Sequence, residues 1–139
     1  MSSVRILVVD DSESFRNVII SRLRTVPELE VISGASDGFE AVQKAKELQP
    51  DLILLDIGLP GQSGIDAARQ IRSVIPDSKI IFVSQEMSID IVEEALRLGA
   101  QGYVAKTSVW SDLLDAVEAV ICSKRFVSTA LGYHLSLAI

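Results

Sequence analysis

Five side chains with complementary chemistry stand just past the ends of short apolar runs: Asp10 and Asp11 after VRILVV, Asp56 after LILL, Ser84 after KIIFV and Lys106 after GYVA. Each alone is unremarkable in type, because an acid closing an apolar run is commonly a helix cap or a solvated loop residue. Together they place three carboxylates, one hydroxyl and one ammonium at equivalent points of a repeating pattern. Like charges brought side by side repel and shift their pKa values unless a cation sits among them. A hard divalent ion meets that need, and Mg2+ takes about six oxygens while keeping several waters. Asp11 and Asp56 would supply carboxylates, Asp10 would hold a water, and the backbone carbonyl of Gly58 would turn to the same point, helped by glycine's permissive backbone. A carboxylate held beside Mg2+ and a lysine can be attacked as well as coordinated. A phosphoryl group suits Asp56 best, since its transfer rests on in-line positioning and on neutralising spread charge, to which Ser84 and Lys106 would add donors.

For these residues to meet, the runs that carry them must lie side by side. The β-branched run at 4–9 predicts a strand, and Phe15, Val18, Ile19 and Leu23 share one face of a helix over 14–25. VISGA at 31–35 predicts a second strand ending at Ala35 and Ser36. Asp37, with Glu40 three residues on, reads as the N-cap of a helix running to 48. Residues 52–55 give the third strand, 65–74 a helix ended by Pro76 and Asp77, and 79–83 the fourth strand. A helix over 89–98 closes at Gly99. A short fifth strand at 102–105 precedes a fifth helix carrying Leu113, Leu114, Val117 and Ile121 after a cap at Ser111. Five βα units imply an α/β fold, a parallel sheet with helices on both faces. Ligands of such sheets sit beyond the carboxyl ends of the strands, where all five candidate residues stand.

Composition agrees and excludes other classes. The chain of 139 residues is 48% hydrophobic and 23% charged, enough for one domain with a real core. Its net charge of −6 argues against direct binding to DNA or to an anionic membrane, and favours a metal cation or basic partner. The single cysteine, Cys122, has no internal disulfide partner, and Val117, Val120 and Ile121 make it a core-edge residue. No apolar run approaches the roughly 18 residues of a membrane span, and MSSVRILVVDD lacks the features of a signal peptide. The expected compartment is the cytoplasm.

The segments VVDDSESFR, LLDIGLPGQSG, IIFVS and GYVAK, spread over residues 4–122, resemble the receiver domains of two-component response regulators, the phosphoacceptor modules paired with histidine kinases. The resemblance implies a doubly wound, flavodoxin-like sheet of five strands in the order 2-1-3-4-5, flanked by five helices. Matched position by position, it makes Asp10 and Asp11 the acidic pair, Asp56 the phosphoacceptor, Ser84 the switch hydroxyl, Lys106 the site lysine and Tyr103 the aromatic that turns inward on phosphorylation. Mg2+ is the implied cofactor and a sensor histidine kinase or phosphotransfer protein the implied partner. The chain would catalyse at most its own phosphorylation and dephosphorylation. GIDAARQIR, LRLGAQGYVAK and KRFVS look most like the NarL/FixJ type, whose receivers usually precede a helix-turn-helix domain. That type implies transcriptional control, a homodimer on activation, and DNA contact only through a domain outside this chain. The dimer face would be either the fourth helix, fifth strand and fifth helix or the first and fifth helices.

The sequence also departs from this pattern. Gln85 replaces the small residue that many receivers carry beside the site, and with Glu86 and the side-chain-free Gly58 it is expected to tune access and phosphoryl lifetime. Thr107 follows Lys106 where many relatives have proline, often through a cis bond; a cis Lys-Thr bond would cost about 3 kcal/mol. Residues 1–123 form the expected receiver. Residues 124–139 form a linker or short helix, with Ser128 as a cap, Leu131, Leu135 and Leu137 on one face and His134 as a surface or interface residue. The chain is expected to be a piece of a longer transcription factor, with a stand-alone regulator as the alternative. A haloacid-dehalogenase-like phosphatase needs a second acid where Gly58 stands. A nucleotide-binding module needs a phosphate loop where VVDDSES places two negative charges. The remaining rival is a receiver-like interaction module that is never phosphorylated, and the complete set of acids, hydroxyl and lysine argues against it.

Overall fold

β-branched and leucine-rich runs bounded by acids, Gly or Pro make each strand, and amphipathic segments opened by Ser or Asp caps make each helix. The computed structural model describes residues 3–128. In chain order the elements are β1 (Val4–Val9), α1 (Glu13–Leu23), β2 (Leu29–Ala35), α2 (Gly38–Leu48), β3 (Leu52–Leu55), α3 (Gly64–Val74), β4 (Lys79–Ser84), α4 (Ile89–Arg97), β5 (Gly102–Ala105), a 3-10 turn (Lys106–Ser108), α5 (Val109–Ile121) and β6 (Phe126–Val127). All strand pairs are parallel, in the order β2-β1-β3-β4-β5-β6.

The order predicted for the first five strands is the one found, and the sixth strand is an addition. Phe126 and Val127, expected in a linker, pair with Gly102 and Tyr103. Ser128 follows them into the sheet edge: its N–H donates to Tyr103 O (3.0 Å), and its buried hydroxyl accepts from Ala105 N at 3.0 Å. That hydroxyl serves β5; the helix start assigned to it from sequence lies outside the described residues. Leu131, His134, Leu135 and Leu137 lie outside the described residues.

The strands divide their side chains between two cores. Leu7, Val9, Ile53, Leu55, Ile80, Phe82 and Tyr103 face α2, α3 and α4, whereas Ile6, Val8, Leu52, Leu54, Ile81, Val83 and Val104 face α1 and α5. Leu52 to Leu55 are all buried, which is why β3 is unbroken by polar residues. Each such side chain contributes about 1.5–3 kcal/mol by leaving water, so the central strands hold their ends rigidly.

Helix caps were legible as chemistry but not always as position. Asp37 caps α2, its Oδ1 accepting from Glu40 N at 2.8 Å, as the sequence predicts. Ser12 caps α1, Phe15 N donating to its Oγ (3.2 Å). Ser111, expected to cap α5, lies inside it and donates to Ser108 O; the 3-10 turn continues directly into α5 and starts that helix at Val109. No peptide bond among the described residues is cis, so Lys106–Thr107 is trans.

Candidate functional site

The ladder hydrogen bonds run on past the strand ends and pin the acids. Asp10 N donates to Ala35 O at 3.0 Å, and Asp56 N donates to Val9 O at 3.1 Å. Arg16, one turn into α1, donates from Nη1 to Asp10 O at 2.6 Å. Thus the two carboxylates project from fixed backbone on adjacent strands. Asp10, Asp56 and Ser84 are buried, while Asp11 is exposed at the rim. One carboxylate oxygen from each of Asp10, Asp11 and Asp56 lies within 4.8 Å of the others, a spacing that suits a shared cation.

Lys106 closes the site. Its Nζ lies 2.7 Å from Asp10 Oδ2 and 3.1 Å from Asp56 Oδ2. The other carboxylate oxygens meet backbone: Ser12 N donates to Asp10 Oδ1 at 2.9 Å, and Gly58 N to Asp56 Oδ1 at 3.3 Å. Asp10 Oδ2 touches the ammonium as a charge contact but has no aligned hydrogen bond among the described residues. Three carboxylate oxygens within 4.8 Å of one another, faced by a single ammonium, fit a hard cation.

One ammonium serves two carboxylates, and the titration behaviour reflects this. Burial pushes the Asp10 carboxyl up, the Asp56 charge pushes the same way, and together they outweigh the nearby Lys106 ammonium and the Ser12 N–H. Burial pulls Lys106 down, but Asp10 and Asp56 between them raise it. An acid raised above its unfolded value of 3.8 stabilises the fold fully below that pH. The contribution is lost as pH rises through the folded value. In chelator, Asp10→Asn is therefore expected to raise the thermal midpoint at neutral pH, with the gain vanishing below pH 3.8. A variant less stable than the wild type at neutral pH would contradict this.

The loop after Asp56 is clamped from two sides. A Cβ on Gly64 would lie 2.0 Å from Asp56 O, and one on Gly38 would lie 2.0 Å from Gln62 O. Gly61 has φ +75°, the left-handed region that favours glycine, and faces the exposed ring of Phe39. Gly58 is different: nothing lies within 4 Å of a Cβ built there and its φ is not positive. The permissive backbone assigned to Gly58 is therefore not needed at that position. Gly58→Ala is expected to change unfolding free energy by no more than about 0.5 kcal/mol; a loss above 2 kcal/mol in denaturant titration would show a constraint that the open space does not.

A family model described as the response regulator receiver domain matches residues 6–118. The chain belongs to the response regulator receiver family. LiaR, a transcriptional regulatory protein of Bacillus subtilis strain 168, is 40% identical over 116 residues, covering 84% of this receiver and 55% of its own length. A LuxR-family two-component response regulator from Aurantimonas sp. SI85-9A1 is 30% identical with a TM-score of 0.92, over 99% of this chain and 98% of that one. The receiver domain of the putative response regulator NarL from Mycobacterium tuberculosis is 31% identical with a TM-score of 0.80, over 88% and 97% of the two chains. The receiver is thus of the LuxR/NarL type. It spans between 53 and 63% of the length of curated relatives such as GacA of Pseudomonas viridiflava and LnrK of Bacillus subtilis strain 168.

Within this receiver, Ser84 Oγ accepts from Glu86 N at 3.1 Å. Tyr103 is fully buried, with its ring centroid 6.1 Å from that of Phe82 and its hydroxyl donating to Glu86 O. The ring lies inside the fold here, and burial pushes the phenol up, so it remains a donor. Ser84, Glu86 and Tyr103 form one short chain that fixes the β4–α4 loop. Gln85 stands apart, exposed in a cleft of about 440 Å3 that Ser12, Phe15, Lys106 and Thr107 also line. The sequence reading missed the clamping glycines Gly38 and Gly64 and the bracing by Arg16. Their signals, glycines at helix starts and a basic residue one turn past the acids, are too common to mark a site. No helix among the described residues is long and apolar enough to cross a membrane.

Proposed function

We propose that Asp56 accepts a phosphoryl group from a phosphohistidine of a sensor kinase or phosphotransfer protein, and that this acylphosphate switches a surface that controls transcription. The observation that carries the reading is the buried Asp56 carboxylate, with Oδ2 against Lys106 and Oδ1 on Gly58 N–H, within reach of Asp10 and Asp11. In the transfer the P–N bond to the imidazole breaks, its electron pair stays on nitrogen, and a P–O bond to Asp56 forms. Asp10, Asp11, Asp56 and the Gly58 carbonyl would hold Mg2+ or another divalent cation, which when bound neutralises charge on the phosphoryl oxygens. Lys106 and the Ser84 hydroxyl donate to those oxygens. Tyr103, tied to Glu86 O, keeps the loop bearing Ser84 in place, while Gln85 and Glu86 flank the entry of donor and water.

The output reading joins two further points. Relatives matched over only part of their length support DNA contact through a domain outside this chain. For a homodimer on activation, α1 and α5 present Val18, Trp110 and Ile121 to solvent at 41%, 61% and 37% exposure. Of these, Ile121 also lines an apolar groove with Val4, Leu29, Leu114 and Val117. Basic Arg22 and Arg24 at the end of α1, and acidic Asp115 and Glu118 on α5, give this face the self-complementary charge that a symmetric partner needs.

Phosphoramidate with Mg2+ tests the chemistry. A label released by hydroxylamine is an acylphosphate and supports transfer to Asp56. A label that survives hydroxylamine lies on a hydroxyl such as Ser84 and overturns the assignment.

A further inference from the structure

Phe15 lies where α1 meets the site, and four contacts make a closed ring through it. Asp10 Oδ1 accepts from Ser12 N, and Ser12 Oγ accepts from Phe15 N. The Phe15 ring carries Lys106 Nζ at 4.5 Å from its centroid, and Lys106 returns to Asp10 Oδ2 at 2.7 Å. Beyond the ring is solvent, since Phe15 and Lys106 both line the 440 Å3 cleft that also holds Gln85 and Thr107. We infer that Phe15 is a positioning residue that holds the Lys106 ammonium over Asp56 by its π face, an inference that rests on the phosphoacceptor reading of Asp56.

A lysine side chain is a flexible stem with a strongly hydrated head, and an open cleft offers it an alternative position. Two carboxylates hold it in the free protein. Once Asp56 carries the phosphoryl group its Oδ2 is no longer the same partner, and the ammonium must stay nearby to donate to the phosphoryl oxygens. An aromatic face within about 6 Å attracts a cation in any rotamer that keeps it above the ring. Phe15, which lines the cleft beside Lys106, supplies that attraction at 4.5 Å. The apolar edge of the ring also packs on the α1–α5 core, so a truncation alone would not separate packing from positioning.

The test uses three forms of the chain: wild type, Phe15→Leu and Phe15→Tyr, with folding checked by circular dichroism. In wild type the ε-methylene proton signals of Lys106 are expected upfield of ordinary lysine values through the ring current, and Phe15→Leu should abolish that shift. At saturating small phosphodonor and Mg2+, Phe15→Leu should phosphorylate several-fold more slowly, with the Mg2+ Kd from calorimetry unchanged and Phe15→Tyr restoring the rate. An unshifted Lys106 in wild type overturns the proposal. So does an unchanged rate in folded Phe15→Leu, or an equal loss in Phe15→Tyr. If wild type accepts no phosphoryl group at all, it is the phosphoacceptor reading that fails, and the ring-current measurement still decides where Phe15 holds the ammonium.

Discussion

Gly64→Ala is expected to destabilise the protein by about 3 kcal/mol, the upper part of the range for overpacking, and to displace Asp56 as it does so. A methyl group there would lie 2.0 Å from Asp56 O and 2.7 Å from Ile57 Cα. Both obstacles are backbone, so no side chain can swing aside. Alanine would ordinarily favour a helix over glycine by up to about 1 kcal/mol, and the clash must exceed that gain. Relief requires α3 to retreat or the Asp56–Ile57 peptide to turn. Either movement strains the bond from Gly64 N to Ile57 O (2.8 Å) and the ladder bond from Asp56 N to Val9 O. Denaturant unfolding should show the loss, and the phosphorylated fraction should fall with it. Gly58→Ala, six residues earlier in the same loop, serves as the matched control for the unfolding measurement, since nothing stands in its way. Equal behaviour of the two variants would mean that the loop is not clamped.

Removing the ammonium should matter as much for a different reason. Lys106→Ala leaves Asp10 and Asp56 buried side by side without their shared cation. Breaking a buried pair from one side costs about 3–5 kcal/mol. The expected loss is at the low end, about 3 kcal/mol, because Asp10 can take up a proton and Asp11 opens the site to solvent. The sign of the metal effect follows. Mg2+ would supply the missing positive charge, so its addition should stabilise Lys106→Ala more than wild type, although metal binding itself survives. The same variant should accept phosphoryl yet fail to pass the change to the output surface. Calorimetric melting with chelator and with Mg2+, followed by light scattering of the phosphorylated forms, checks both parts. A variant as stable as wild type in chelator, or one that still changes its association state on phosphorylation, would count against this role for Lys106.

What was readable in the sequence follows from what each feature depends on. The acids, hydroxyl and lysine were visible because each closes an apolar run, and a parallel sheet carries all such ends to one rim. β6 was not visible, since Phe126 and Val127 form too short a run to read as a strand without β5 beside it. The contact of Ser128 with Ala105 N was not visible either, because it joins residues 23 positions apart. The α5 start was misplaced because the 3-10 turn over Lys106–Ser108 runs straight into the helix, which leaves Ser111 inside it. Gly58 drew attention by its distance from Asp56, yet the demanding glycines are Gly38, Gly61 and Gly64. A tight approach to another segment's backbone leaves no mark in local sequence. Phe15 was legible only as a core position, because its contact with Lys106 joins residues far apart in the chain.

Intact-mass measurement after incubation with a small phosphodonor bears most directly on the phosphoacceptor role of Asp56. Wild type with Mg2+ should gain the mass of one phosphoryl group, with no gain in chelator and none in Asp56→Asn. A gain that survives Asp56→Asn, or no gain in wild type with Mg2+, would contradict it.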